Sequence, residues 1–212
     1  MTTDRRAFST ATLSEEAGRW FLSFTCQVEG NDAPALFPGS VVGVDLGVTH
    51  LAVLSSGELV DNPRCLNRYA RKMARLNREL ARRSKGSKRR AVTKAKLAKA
   101  HRQVRCARRD ALHQLTPQLA TTYETVVIED LNVKGMTSRP KPRPDPERSG
   151  AFLPNGRRSK AGLNRAILDV APGEFRRQLT YKLAWHQGTL VVADRFYPSS
   201  KTCSSCGAVR AK

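Results

Sequence analysis

"VVGVDLG", residues 41–47, decides the fold. The run is apolar, too short for a helix, and reads as a buried strand. One acid, Asp45, interrupts it, and Gly47 after it leaves room for backbone or a ligand to approach. Working outward, "HLAVLSS" (50–56) reads as a second strand and "ELV" (58–60) as the start of a third, with Ser56 and Gly57 making the turn. That is an antiparallel meander. On the N-terminal side, "RWFLSFTCQVE" (19–29) alternates as a strand, with Trp20, Leu22 and Phe24 on one face. Residues 1–18 are polar and expected to fray, and "GNDAP" and "PGS" punctuate a loop.

After the meander the period changes. Leu66, Tyr69, Met73, Leu76 and Leu80 step by three or four, which predicts a helix. "SKGS" (84–87) breaks it, and Leu97, Ala100, Val104, Ala107, Ala111 and Leu115 predict a second. The short connection favours an antiparallel helical hairpin. "TVVIEDL" (125–131) is another apolar strand. Residues 138–162 are rich in Pro, Arg and Gly without periodicity, and read as a disordered loop or one ordered by nucleic acid. "GEFRRQLTYKLAWHQG" (173–188) is helical, with Phe175, Leu179, Leu183 and His186 assigned to its inner face, and "TLVVADRF" (189–196) is the last strand. Strands first in a meander, then joined through helices, give an α/β fold with a mixed sheet.

The chain of 212 residues carries 38 Lys and Arg against 18 Asp and Glu, a formal charge of +20. That excess points to a polyanionic partner, most commonly nucleic acid. Between Arg64 and Arg109 there are 19 Lys and Arg and one acid, Glu79, so half of the positive charge lies on the hairpin. Arg71, Arg75, Arg78, Arg82, Arg83, Lys88, Arg89 and Arg90 are the candidate phosphate contacts there, with a merely solvated helical face as the alternative. Arg176 and Arg177, on the helix beside the expected cleft, are two more. No stretch approaches the roughly 20 apolar residues of a membrane span, and the N-terminus has no apolar signal region. Five cysteines, three of them scattered singly, are not a disulfide framework, which places the chain in a reducing, cytoplasmic compartment.

Two acids sit in the apolar strands: Asp45 in "VVGVDLG" and Glu129 in "VVIEDLN". A buried, unpaired carboxylate is costly and tends to protonate. Hydrogen bonds or an arginine could compensate, and so could a divalent metal. Two such acids in one sheet of a strongly basic chain favour the metal. The matching chemistry is phosphodiester hydrolysis, in which carboxylates hold Mg²⁺ ions roughly 3.5–4 Å apart. Mg²⁺ takes hard oxygen ligands and keeps several waters. Two acids are few for such a site, and Asp194 is a third by position. Asp130 points to the opposite face of its strand from Glu129. Cys203 and Cys206 have the spacing of half a zinc knuckle, whereas a closed site needs four ligands.

"VVGVDLGVTHLAVLSSGELVDNPR", "VVIEDLNVKGM", "GEFRRQLTYK" and "DRFYPSSKTCSSCG", in this order, resemble TnpB, the OrfB-type transposase of IS200/IS605-class insertion sequences, related to the Cas12 nucleases. The resemblance runs from about Gly18 to Lys212. It implies a RuvC-like nuclease of RNase H fold split by a helical insertion and a zinc ribbon, working with a guide RNA to cut matching DNA. Asp45 and Glu129 match two of its catalytic acids and Cys203 and Cys206 its first zinc pair. Its third catalytic Asp lies in a "DRD-x-N" segment after a second zinc pair, and the sequence contains neither.

The domains expected on this resemblance are a remnant of an N-terminal β-barrel wedge (1–40), a RuvC-like core (41–62 and 124–196), the basic hairpin insertion (63–123) and the first half of a zinc ribbon (197–212). The chain is therefore expected to be a fragment lacking the closing helix and inactive alone, with Mg²⁺ and Zn²⁺ sites both incomplete and with guide RNA and DNA as partners. The alternatives are a non-catalytic RNA- or DNA-binding remnant, or a nuclease completed by another polypeptide or a shifted frame. "GVDLGVT" also resembles the first phosphate loop of actin- and Hsp70-type ATPases. The chain shows no second phosphate loop or adenosine pocket, and its charge is unlike theirs.

Overall fold

A computed structural model describes residues 8–27 and 34–195, together with 202, 206 and 208. The chain opens on a two-stranded ribbon, β1 (Phe8–Glu16) and β2 (Arg19–Cys26), paired antiparallel with Glu16 opposite Arg19. Ala17 and Gly18 make the turn at φ 51° and 76°. Two positive φ angles give the hairpin geometry that follows the right-handed twist of its strands. Residues 8–16, expected to fray, are therefore a strand. The cause of the miss is composition: beyond Phe8, Ala11 and Leu13 the strand is polar, so no apolar alternation marks β1 as Trp20, Leu22 and Phe24 mark β2. Glu16 pairs with Arg105, and the Arg102 guanidinium lies 5.2 Å over the Phe21 ring; these contacts reach the ribbon from the second helix of the hairpin.

The main sheet begins with β3 (Phe37–Leu46), β4 (His50–Leu54) and β5 (Leu59–Asp61), an antiparallel meander. Then come α1 (Cys65–Arg82) and α2 (Lys88–Thr122), and β6 (Tyr123–Glu129) follows α2 without a loop. A short α3 (Val133–Met136), α4 (Arg157–Val170), α5 (Pro172–Trp185) and β7 (Thr189–Ala193) complete the described chain. The five strands lie in the order β5-β4-β3-β6-β7, with β3, β6 and β7 mutually parallel. This is the mixed sheet expected from the pattern.

Alternation along each strand decides what the sheet buries. Val42 pairs with Val126 and Val44 with Ile128, and all four are buried. They pack under Leu112, Leu115 and Leu119 of α2 and Phe175, Leu179 and Leu183 of α5. The three α5 residues step by four, so one stripe of that helix meets the sheet. Each such side chain contributes roughly 1.5–3 kcal/mol by leaving water. His186, also assigned to that stripe, instead forms the C-cap. Between α2 and α5 lies a buried polar seam. Thr116 Oγ1 is 3.0 Å from Gln178 Oε1, and Lys182 Nζ donates to Thr116 Oγ1 (2.7 Å) and lies 3.1 Å from His113 Nδ1.

The hairpin is held at both ends. At its tip, Ser87 caps α2 by accepting the Arg90 N–H at 3.2 Å. The Arg90 guanidinium donates to the carbonyls of Leu80 and Arg83, satisfying acceptors that the end of α1 leaves open. At its base, Arg64 precedes α1 in the left-handed region (φ 45°, ψ 54°) and offers no side-chain cap. The cap comes from another element: both Asp169 carboxylate oxygens accept the Leu66 N–H, at 3.1 and 2.9 Å, and Oδ1 also accepts Arg108 Nε at 2.6 Å. One carboxylate thus ties α1, α2 and α4 together.

The segment 138–162 is not structureless throughout. Pro144 and Phe152 form an isolated bridge, and α4 starts at Arg157. The helix was hidden because Gly162 interrupts it and only Ile167 and Val170 are buried. Its polar side chains fix it instead: Lys160 Nζ donates to the Met136 carbonyl and Asn164 Nδ2 to that of Thr137, both at 2.7 Å. Among the described residues, no helix is long and apolar enough to cross a membrane.

Candidate functional site

Asp45 and Glu129 follow directly on the paired residues Val44 and Ile128, at the C-terminal ends of adjacent parallel strands. Both share the parity opposite to the buried valines, so they stand side by side on the sheet face that carries Gly43 and Val127. Neighbouring strands lie about 4.8 Å apart, a separation at which two carboxylates can share one cation. Both residues are exposed. The expectation that burial would force their compensation is therefore corrected: "VVGVDLG" and "VVIEDL" are buried on one face only, and the acids occupy the other. Among the described residues no side-chain hydrogen bond or ion pair engages either carboxylate, so their oxygens are open to a ligand.

The neighbouring acids behave differently. Asp130 is clamped by two arginines: Arg195 Nη2 lies 2.5 Å from Oδ2, Arg195 Nε donates to the Asp130 carbonyl at 3.1 Å, and Arg176 Nη1 lies 3.4 Å from Oδ1. Asp194 follows Ala193, the partner of Glu129 on β7, and lines the same rim cleft as Glu129, Asp130 and Arg195. It has the parity of Asp130, not of Glu129. Among the described residues no group of three or more His, Cys, Asp or Glu gathers where it could hold a metal ion. Sequence reading missed the Arg195–Asp130 clamp, because 65 residues separate its partners and no spacing rule connects them.

Arg176 therefore faces Asp130 and lines a cleft with Glu129 but not with Asp45. Arg177 forms a two-point bond to Glu174, at 2.8 and 2.7 Å. That bond holds the Glu174 carboxyl down to about 2, aided by the Gln178 amide and opposed by burial. On the hairpin, Arg71, Arg75, Arg78 and Arg82 step along one exposed face of α1, and Lys88 and Arg89 are exposed at the start of α2. Arg75 is 3.9 Å from Glu79. Arg83 and Arg90 are half-buried and committed to the tip, Arg83 to Thr93 and Glu79, and Arg90 to the carbonyls of α1. Of the cysteine pair, Cys203 lies outside the described residues, and Cys206 is an exposed free thiol.

Residues 23–139 match the family model OrfB_IS605, described as "Probable transposase". Residues 173–212 match a second model, described as "Cas12f1-like, TNB domain". A Streptomyces pristinaespiralis protein named "Putative RNA-guided DNA endonuclease" is 40% identical over 205 residues, which cover 96% of this chain and 45% of that protein. An Escherichia coli K12 protein, "Putative RNA-guided DNA endonuclease InsQ", is 35% identical over 199 residues, covering 92% of this chain and 47% of its own length. A mimivirus "TnpB-like protein L79" is 28% identical over 124 residues. The chain thus spans about half or less of the curated relatives it matches. Among solved structures, one titled "Cryo-EM structure of the Cas12f1-sgRNA-target DNA complex" superposes over 90% of this chain and 35% of that one, with TM-score 0.54 at 18% identity. That likeness shows the fold: the mixed sheet is RuvC-like.

Proposed function

The chain belongs to the OrfB family of IS605-type transposases, and on that premise we propose that it forms the catalytic-fold portion of an RNA-guided DNA endonuclease. The observation that carries the reading is the placement of Asp45 and Glu129 on adjacent strands of the RuvC-like sheet, exposed and unengaged by other described side chains. Two hard carboxylate donors fit one divalent ion of the Mg²⁺ class, which keeps waters in its other positions. Asp45 and Glu129 would hold it, and bound there it would supply charge stabilisation to a phosphodiester oxygen and lower the pKa of a coordinated water. The sheet itself contributes position: both acids sit at strand ends whose opposite face is packed, so their separation is fixed before any ligand arrives. Guide RNA and DNA are the partners this reading assigns, with the exposed α1 face from Arg71 to Arg82 and the start of α2 tracking phosphates. Cys203 and Cys206 would donate two thiolates to a zinc ion whose remaining ligands lie elsewhere.

A second reading, binding without cutting, is favoured by one specific observation: among the described residues the acids form a pair, not a set of three or more. One experiment separates the two. Mn²⁺, used as a paramagnetic stand-in for Mg²⁺, is titrated into the full chain and into Asp45→Asn and Glu129→Gln. The expected result is one site in the wild type, with affinity reduced at least about tenfold in each variant. Equal affinity in all three proteins removes the metal site, and with it the nuclease reading. With guide RNA and a matching DNA, cleavage abolished by Asp45→Asn supports the nuclease. Retained binding without cleavage supports the second reading.

A further inference from the structure

Glu129 lines two clefts at the C-terminal edge of the sheet, and each contains an arginine. Arg176 lines the first, with Ile128, Leu131 and Pro172. Arg195 lines the second, with Asp130, Asn132 and Asp194. An arginine is always charged, and a carboxylate is its natural partner. Yet both guanidiniums turn to Asp130, and no contact between either of them and Glu129 occurs among the described residues.

The sheet explains why Asp130 is placed to take them. Alternation puts Asp130 on the side of Ile128, which is the side that α5 covers, and puts Glu129 on the other. Arg176 comes from α5 and so meets Asp130 from the packed side. The β6–β7 ladder ends at the pair Glu129 and Ala193, followed by one bond from the Asp130 N–H to the Ala193 carbonyl at 3.3 Å. Past that bond the ladder no longer separates the two sides, and a long side chain can cross.

The two arginines are held unequally. Arg195 has two grips, one on the Asp130 carboxylate (Nη2 to Oδ2, 2.5 Å) and one on its backbone carbonyl (Nε, 3.1 Å). The second grip does not depend on the charge of Asp130. Arg176 is half-exposed and has one contact, Nη1 to Oδ1 at 3.4 Å. Without the Asp130 charge, Arg195 keeps a tether and Arg176 keeps none. The acid that remains in its cleft is Glu129. A guanidinium seated there would occupy the oxygens that a cation needs and place a like charge beside it.

We propose that Asp130 is a positioning residue that holds Arg176 off Glu129 and so keeps that carboxylate open to a divalent cation. The inference rests on the metal-binding reading proposed above. Asp130 is not itself a ligand on this account: it faces the other side of the sheet, and two arginines satisfy it.

A double-mutant cycle tests it. Mn²⁺ is titrated into the full chain, Asp130→Asn, Arg176→Gln and the double variant, with melting temperature recorded for each. Asp130→Asn is expected to lower affinity about tenfold, the lower end of the usual effect of a residue behind a ligand. Arg176→Gln alone should change it less than about threefold, yet in the Asp130→Asn background it should restore most of the loss. Asp130→Glu, which keeps the charge, should bind as the wild type does. Half-exposed ion pairs add little to stability, so melting should stay nearly constant. Unchanged affinity in Asp130→Asn overturns the proposal. So does an equal effect of Arg176→Gln in both backgrounds, because charges are then merely summed at a distance. A collapse of melting in Asp130→Asn overturns it as well, since the residue is then structural. In all three cases a wild-type site leaves the function proposal standing, whereas no Mn²⁺ site in the wild type removes both.

Discussion

Single residues here are read through what surrounds them. Asp45 and Glu129 were identifiable by type and by strand context, but the reason given for their importance, burial, does not hold: they occupy the open side of a sheet that is packed on the other. A sequence shows that a strand is apolar before it shows how many of its faces are covered. His113 shows the reverse case. Nothing in the sequence marks it, yet burial and then the Lys182 ammonium hold its pKa below the ordinary histidine range. Its Nδ1 lies 3.1 Å from Lys182 Nζ, so neutral imidazole accepts where imidazolium would repel. The folded-state pKa lies below the unfolded one. Stability from the neutral ring is therefore fully present above about pH 6.5 and declines as pH falls through the lowered folded value. Urea unfolding between pH 7.5 and 5 should show this decline, and His113→Gln, which keeps an acceptor but cannot titrate, should flatten it. An unchanged slope in the variant would assign the decline to other groups.

Elements form where period, capping and packing agree, and their legibility followed that agreement. The meander, the hairpin, β6 and α5 each have a covered face and were readable. β1 and α4 offer less: β1 pairs in a ribbon where Leu13 is exposed, and α4 buries only Ile167 and Val170 and is otherwise fixed by Lys160 and Asn164 reaching for carbonyls of residues 136 and 137. Polar tethers across some 25 residues leave no period to detect. The junction from α5 to β7 is more demanding than its sequence suggests. The chain turns through Gln187 at φ 55° and Gly188, and a Cβ on Gly188 would lie 2.8 Å from the Glu124 carbonyl and 2.9 Å from Leu183 Cδ2. The first contact is backbone and cannot rotate away. Gly188→Ala should therefore destabilise the fold by about 1–3 kcal/mol, measured by chemical denaturation. A loss under about 0.5 kcal/mol, the scatter of ordinary surface substitutions, would mean that β6 and β7 shift freely past one another.

At the scale of the whole molecule, charge is distributed unevenly between two parts. The sheet, α5 and the C-terminal part of α2 from Leu112 form the core, and α1 with the earlier part of α2 carries the excess of cations. The structure divides those cations into two kinds that the sequence could not distinguish. Arg83 and Arg90 close the hairpin tip, whereas Arg71, Arg78, Arg82, Lys88 and Arg89 have no ion-pair partner among the described residues. If the second kind contacts phosphates, binding should weaken linearly in log affinity against log salt, by about 0.7–0.9 for each phosphate neutralised. Replacing Arg71, Arg78 and Arg82 with Gln should lower that slope by about two to three, with melting unchanged. An unaltered slope would show that α1 is only a solvated face. Replacing Arg90 should do the opposite, lowering melting more than the slope.

The passage from α2 into β6 has a mechanical consequence. Thr122 ends a 35-residue helix and Tyr123 begins the strand, with no intervening loop. At 1.5 Å per residue the helix is a rod roughly 50 Å long, gripped near its middle by Asp169 through Arg108 and planted at its far end in the sheet. A rod joined to a strand without a loop transmits torque, less the bend that Pro117 introduces in its last turns. Whatever seizes the hairpin at Ser87 applies a lever to the strand that ends in Glu129, with the Arg108–Asp169 pair as the fulcrum.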